Sequence, residues 1–457
     1  MGEHTHLGRW WLPDSPDNGV FGVLHAPPNG RMVLSTAGVL AASGTPDLTI
    51  LGRTQRGTRV TLAGCLAVSE RSGFTSEPGS GSGEYDVAQT LFGDHFALPD
   101  EARFKFMDVA YSGLAAWVGT GAIKWISPVP EGYQCAIGVP REDLASVRQG
   151  DVEIALHLAA RHDLTAGAST LEPIGRVMFT SKTPLTLKVW QDQFIRPIGN
   201  LVSFALDQSC FVLELTANER GPWWDDAQKG HDIVEVRIHN REPLKGSGRR
   251  HPDRPRFLLS DSGVDIGVSL PKWLRACSEI KLPLDLYFAA MHAPFMYIEA
   301  SFLTLVQSAE GYHRARFPNS VVDEPAIHAR RLETIFGALK DEAECATWLR
   351  KNIGLWSNDP ALAHRLKELG DLAIGLGLPT TSKQLKSFIY HAKIARNDLS
   401  HGGLLADEKA SYDVWPLYAQ LSAIMQACIM HELGLPADIV RRALSQNAFA
   451  RLRQDGR

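Results

Sequence analysis

The hydrophobic period of the chain changes near residue 290, and this change most constrains the fold. Upstream, apolar residues alternate with small or polar ones, which is the two-residue period of a half-buried strand. The alternating sets are Val60, Leu62, Leu66 and Val68; Val152, Ile154, Leu156 and Leu158; Leu185, Leu187 and Val189; Phe211, Leu213 and Leu215; and Val234, Val236 and Ile238. Helix-length patterns do not alternate with these segments, so we expect antiparallel sandwich or barrel layers.

Downstream, apolar residues recur at the helical spacing of about 3.6 residues. Helical stretches are predicted through residues 302–313, over 324–352, after Pro360 and from Ser382. Short loops between such helices indicate an antiparallel bundle. The sequence therefore predicts an α+β multidomain protein. A β-rich region over residues 1–285, with one domain or two subdomains, precedes an all-α bundle over residues 286–457.

The composition excludes several classes of function. Of the 457 residues, 44% are hydrophobic and 21% are charged, as in soluble globular proteins. The net charge of −4 excludes a bulk polycation, so nucleic acid could bind only at a local basic site. The N-terminus lacks the features of a signal peptide, and no stretch is typical of a membrane span. We expect a cytoplasmic protein without membrane contact.

Metal and cofactor motifs are absent from the sequence. The six cysteines are scattered without a CxxC pair, which favours reduced, buried thiols. The glycines of residues 76–84 are not followed by the Lys-Ser or Lys-Thr of a phosphate-binding loop. No His, Asp and Glu residues are clustered at the spacing of metal ligands. We therefore expect neither a metal ion nor a cofactor.

The strongest candidates for catalytic residues lie in the segment Arg396-Asn397-Asp398-Leu399-Ser400-His401, at the end of the fourth predicted helix. Histidine titrates nearest to neutral pH and suits proton transfer. Arginine offers a planar fork of N–H donors for phosphate. We predict that His401 performs acid–base chemistry, that Arg396 stabilises a phosphate, and that Asn397 orients one of them. The spacing alone is common by chance, so the helical setting is part of the argument.

This motif resembles the Arg-x(4–6)-His motif of the HEPN superfamily, whose RNases are small helical bundles. Within it the chain resembles the ApeA family of bacterial anti-phage proteins, which join a β-rich N-terminal domain to a C-terminal HEPN domain. The segments that carry the resemblance are residues 8–13, 20–24, 60–62, 104–117, 298–303 and 309–314, besides the motif. The resemblance implies an endoribonuclease toxin of abortive infection. Its expected products are a 2′,3′-cyclic phosphate and a 5′-hydroxyl.

The resemblance also implies partners. HEPN motifs act in facing pairs and the chain has one good copy, so we expect a homodimer with a composite active site. The RNA substrate stays open, with tRNA among the candidates, and a phage-derived trigger would bind the N-terminal region. The alternative function belongs to a different class. The chain would then be a non-catalytic recognition protein, whose β domain binds a phage or cellular ligand while the helical bundle dimerises.

The sequence evidence for accessory and RNA-binding residues of the site is weaker. Glu299 and Glu310 are eleven residues apart and so share a helix face, where they line the cleft or hold the bundle. His313 is a further accessory candidate that could contact RNA. The alternative is a histidine that is satisfied within the fold or faces solvent. Residues 241–256 are strongly basic and form either a solvated connector or a handle for RNA phosphates. The candidate RNA-binding residues in this segment are Arg249, Arg250 and Arg254.

Overall fold

The computed structural model describes most of the chain in two compact units, Met1–Leu274 and Arg275–Arg457. The described residues are 4–27, 30–72, 81–119, 124–126, 136–138, 144–165, 168–219, 235–241, 255–293, 295–354, 357–401, 413–447 and 449–450. Every described strand lies in the first unit, and the described elements of the second are helical, which confirms the predicted fold class. The division after residue 285, and the number of subdomains before it, stay predictions.

The first unit is built on antiparallel strands. Their bounds are β1 (Thr5–Trp11), β2 (Val20–His25), β3 (Met32–Ala37), β4 (Leu48–Thr54), β5 (Arg59–Ser72), β6 (Gly81–Val87), β7 (Gln89–Phe92), β8 (Arg103–Tyr111), β9 (Lys124–Ile126), β10 (Ala136–Gly138), β11 (Ala145–Gln149), β12 (Val152–Thr165), β13 (Ala168–Thr186), β14 (Val212–Asn218) and β15 (Val236–Asn240). Thirteen of them form one sheet in the order β11-β12-β13-β8-β14-β15-β7-β5-β4-β1-β2-β3-β6, and β9 pairs with β10.

A further pairing of β5 with β6 closes six of these strands into a barrel. Its interior is filled by buried side chains that include Trp10, Leu34 and Tyr85. Trp10 requires a glycine on the neighbouring strand β4. A Cβ atom at Gly52 would lie 2.1 Å from the Trp10 ring, so any larger residue there would displace the indole.

The first unit also contains short helices, the first two of which contact strand β13 outside the barrel. They are α1 (Leu114–Val118), α2 (Leu187–Trp190) and α3 (Arg196–Leu206), with single turns at Pro16–Asn18, Pro99–Glu101 and Gln191–Ile195. The predicted strand at residues 185–189 is wrong beyond Thr186. The Thr186 hydroxyl accepts a hydrogen bond from the Val189 N–H at 3.4 Å, which caps α2 and ends the strand.

The second unit is a helical bundle. Its helices are α4 (Ile266–Glu279, which begins in the first unit), α5 (Lys281–His292), α6 (Ile298–Arg316), α7 (Pro325–Ala338), α8 (Ala343–Leu349, continued by Arg350–Gly354), α9 (Leu362–Gly375), α10 (Ser382–His401), α11 (Val414–Leu433) and α12 (Ala437–Ser445). Helices α6, α9, α10 and α11 all contact one another. Helix α11 is the central member, because Leu421, Ile424 and Ile429 are fully buried.

The segment predicted as one helix over residues 324–352 is two helices, α7 and α8. Its apolar stripe faces outward, since Ile327, Ile335 and Trp348 are 51%, 40% and 60% exposed. The helical period was therefore predicted correctly, but continuity and burial were not. Gly337 lies just before the break and lowers helix propensity there. The thiols are also less uniformly buried than predicted, because Cys345 on α8 is exposed.

Candidate active site

Helix α10 carries the predicted catalytic segment, and local sequence fixes where it begins. The Thr381 hydroxyl accepts a hydrogen bond from the Gln384 backbone N–H at 3.3 Å, and the side-chain Oε1 of Gln384 accepts one from the Thr381 backbone N–H at 3.0 Å. This reciprocal pair is a capping box. Leu385, Phe388 and Ala395 form the buried face of the helix, at 3%, 3% and 0% exposure. The predicted helix start at Ser382 is confirmed.

Arg396 and Asn397 follow the last buried residue of this face, and both side chains are half-buried. Arg396 Nη1 donates a hydrogen bond to Asn397 Oδ1 at 3.2 Å. Within the described part of the chain, Arg396 makes no ion pair. Among the described residues, its guanidinium therefore has donors and charge left for another group.

His401 is the last described residue of α10, and its side chain lies outside the described structure. Helix geometry still relates the three positions. Positions 397 and 401 are four residues apart and share a face. Positions 396 and 401 are separated by about 140° around the axis and about 7.5 Å along it. Asn397 therefore lies at a position from which it can link Arg396 to the face of residue 401.

His313, predicted as an accessory residue, is only 1% exposed and belongs to a buried polar network. Its Nδ1 lies 3.1 Å from Arg365 Nη1, and its Nε2 lies 2.7 Å from Glu368 Oε2. Because an arginine can only donate, Nδ1 is the acceptor and Nε2–H donates to Glu368. Burial lowers the pKa of His313, and the bond to Glu368 opposes this only in part. The imidazole is therefore neutral, with a single tautomer, and links α6 to α9.

Glu299 and Glu310, the other accessory residues, both lie on α6 and differ in exposure. Glu299 is exposed in the first turn and Glu310 is half-buried. Within the described residues, neither forms a hydrogen bond or ion pair with Arg396. Helices α6 and α10 contact each other, so the two elements are neighbours in the bundle. The roles of both glutamates stay predictions.

The basic segment can be followed only at its two ends, because Arg249, Arg250 and Arg254 lie outside the described residues. Arg241 pairs with Asp86. Arg256 is buried, stacks 4.7 Å from the Phe204 ring centre and donates to Asp207. The described ends of the segment therefore form ion pairs within the first unit. RNA binding by the three central arginines stays a prediction.

The described residues contain neither a candidate metal site nor a candidate membrane span. In this part of the chain, no three His, Cys, Asp or Glu side chains lie together in a way that could hold a metal ion. None of the described helices combines the length and the apolar character needed to cross a bilayer.

Comparison with known families defines the class of the helical unit. Residues 303–439 match the Apea-like HEPN family, and HEPN domains generally have an RNase fold, bind RNA and dimerise. The matched range includes Arg396, Asn397 and His401.

The N-terminal region gives the particular family. Residues 5–273, more than half of the chain, match ApeA N-terminal domain 1. The chain therefore belongs to the ApeA family, as the resemblance of its motifs predicted. No curated protein and no solved structure matches it.

Proposed function

We propose that the chain is a metal-independent endoribonuclease of bacterial anti-phage defence, acting by abortive infection in the cytoplasm. Residues 286–457 would be the nuclease, and residues 1–285 would bind a phage-derived trigger and control it. The observation that carries the proposal is Arg396, a half-buried guanidinium beside Asn397 with no ion pair in the described structure. A cation in that state is suited to an anionic substrate.

The proposed reaction needs only the RNA and side chains. The 2′-hydroxyl oxygen attacks the adjacent phosphorus while His401 takes its proton, and the bond from phosphorus to the 5′-oxygen breaks. A second imidazole protonates the departing 5′-oxygen. The products are a 2′,3′-cyclic phosphate and a 5′-hydroxyl. Arg396 donates to the non-bridging phosphate oxygens, on which negative charge increases in the transition state.

Two proton transfers require two titrating groups, and the chain has one Arg-x(4)-His motif. We propose that a homodimer supplies the second, with the partner's His401 facing the same RNA linkage. The wide angle between positions 396 and 401 on one helix supports this arrangement. A phosphate held by Arg396 is more easily reached by an imidazole from another chain than from the same helix.

The test is cleavage of total RNA by the purified chain in EDTA, followed by analysis of the product ends. Arg396→Ala and His401→Ala should each lower the rate by about 100-fold or more, since each removes a group that acts in the transition state. Arg396→Lys keeps the charge but loses the fork, and should retain part of the activity. His391→Ala is the matched control. His391 is exposed on the same helix, and its Nδ1 bonds the Ser387 carbonyl oxygen at 2.8 Å.

Full activity of His401→Ala would refute the proposal, as would loss of cleavage in EDTA that added divalent metal restores. Absence of cleavage with RNA binding intact would instead favour the non-catalytic recognition protein. Cleavage that leaves a 3′-hydroxyl would contradict attack by the 2′-hydroxyl, even if all other results agreed.

A further inference from the structure

Four residues from four adjacent strands stand in line on the outside of the barrel. The register pairs Phe21 on β2 with Arg9 on β1, Arg9 with Arg53 on β4, and Arg53 with Arg59 on β5. Adjacent strands are about 4.8 Å apart, so the line is about 14 Å long. Three arginines thus occupy adjacent positions on the outer face of the sheet, next to a phenylalanine. We call Arg9, Arg53 and Arg59 the arginine row.

The arginine row is unfavourable in the protein alone, because like charges at directly opposite positions destabilise a sheet. Its two ends have local partners. Arg59 Nη1 pairs with Asp94 at 2.9 Å, and Arg9 Nη2 donates to the Asp17 carbonyl oxygen at 3.0 Å. Arg53 in the middle is exposed and makes no ion pair in the described part of the chain. An anion bound at Arg53 would relieve the repulsion.

The row borders an open groove of about 1060 Å³ with an apolar floor. Phe21 is 73% exposed, and Leu7 and Val23 are each 36% exposed on the neighbouring positions. The outer face of an antiparallel sheet is normally polar. None of the described residues that line this groove is acidic. Its ligand should therefore be negatively charged and also carry flat or apolar groups.

We propose that this groove binds a single strand of RNA, with phosphates on the arginine row and a base stacked on Phe21. Guanidinium forks match phosphate oxygens, and an exposed ring accepts any base because every base has a π-face. An acidic peptide would also satisfy the arginines, but it gives no reason for an exposed flat ring beside them. The site is distinct from Arg396 and His401, and it does not require that they cleave RNA.

The experiment measures binding of a fluorescein-labelled 2′-O-methyl RNA of about 12 nucleotides to the full chain by fluorescence anisotropy. This RNA lacks the free 2′-hydroxyl, so binding is measured apart from the proposed cleavage. Phe21→Ala should weaken binding at least about 5-fold, and Phe21→Leu should weaken it too because the flat ring is lost. Arg53→Gln should weaken binding and flatten the plot of log K against log salt by about 0.7, the value for one phosphate contact.

Arg148→Ala is the matched control and should bind as the original chain does. Arg148 is an arginine of the same unit with a 64% exposed side chain, and it lies outside the groove. Circular dichroism establishes that each variant is folded, and Phe21→Leu and Arg53→Gln are the least disruptive changes. Unchanged binding in both would overturn the proposal. It would also be overturned if a poly-glutamate peptide of equal length bound the groove more tightly than the RNA.

Discussion

Removing Arg365 should destabilise the helical unit far more than removing Arg314, although both arginines lie 3.0 Å from the same Asp359 carboxylate. Arg365 is 2% exposed. Its Nε donates to the Pro360 carbonyl oxygen at 2.8 Å, and its Nη1 donates to His313 at 3.1 Å. Arg365→Ala would leave the Pro360 carbonyl oxygen and His313 Nδ1 without their donor in buried surroundings, and would remove one of the two cations beside Asp359.

The expected cost follows from these contacts. Breaking a buried ion pair on one side costs about 3–5 kcal/mol. Asp359 is 37% exposed and keeps Arg314, so we expect the lower end, about 3 kcal/mol. The Arg314 side chain is 60% exposed, and its pair is worth at most about 1 kcal/mol. For a unit of this size, 1 kcal/mol changes the melting temperature by about 2–4 °C.

Differential scanning calorimetry of the full chain tests the difference. Arg365→Ala should lower the melting temperature of the helical unit by about 6–12 °C, and Arg314→Ala by no more than about 4 °C. Equal changes in the two variants would refute the argument that burial decides the value of the pair. A change below about 2 °C for Arg365→Ala would show that the network carries no stability.

Two further predictions concern the same bundle. Gly370→Ala would place a Cβ atom 2.4 Å from the Leu385 side chain, so it should lower the free energy of unfolding in urea by about 1–3 kcal/mol. Gly375→Ala on the same helix is the control. Its Cβ atom would meet nothing within 4 Å, so this change should be neutral or stabilising. Burial lowers the pKa of His292 from 6.5 to about 4, so the unfolded chain binds a proton that the folded chain does not, and stability falls as the pH falls through that range. His292→Phe, which can still stack on Phe288, should reduce this pH dependence. The check is the midpoint of urea unfolding at pH 7 and at pH 4.5. An equal change of the midpoint between the two pH values in the variant and in the original chain would contradict the prediction.

The helix that carries the candidate site was predictable because its structure is local. The capping box of Thr381 and Gln384 lies within four residues, and so does the spacing that places Asn397 and position 401 on one face. The network of Arg365 was not predictable. It joins His313 on α6 to Arg365 and Glu368 on α9, which are 52 and 55 residues further along the chain, and only tertiary packing brings the two helices together.

Strand β5 shows a second feature that could not be predicted from the sequence, namely which of its side chains are buried. Alternation placed Leu66 and Val68 on the buried face with Val60 and Leu62, and this prediction is wrong, since Leu66 and Val68 are 42% and 43% exposed. The register between β4 and β5 shifts by one residue near Gly64, whose φ is +61°. A bulge of this kind reverses the faces downstream of it. The arginine row likewise depends on register, which the sequence does not reveal.

The two proposals rest on arginines that have no acidic partner among the described residues, but the physical argument differs between them. Other arginines of the described chain are paired when they are buried or half-buried, as Arg365 is with Asp359 and Arg176 is with Asp108. Arg396 is half-buried and has no such pair among the described residues, and burying a charge without a partner costs free energy. Arg53 is exposed, so its cost comes from its neighbours in the row and decreases with salt. RNA binding at the groove should therefore be more sensitive to ionic strength than binding at the helix end.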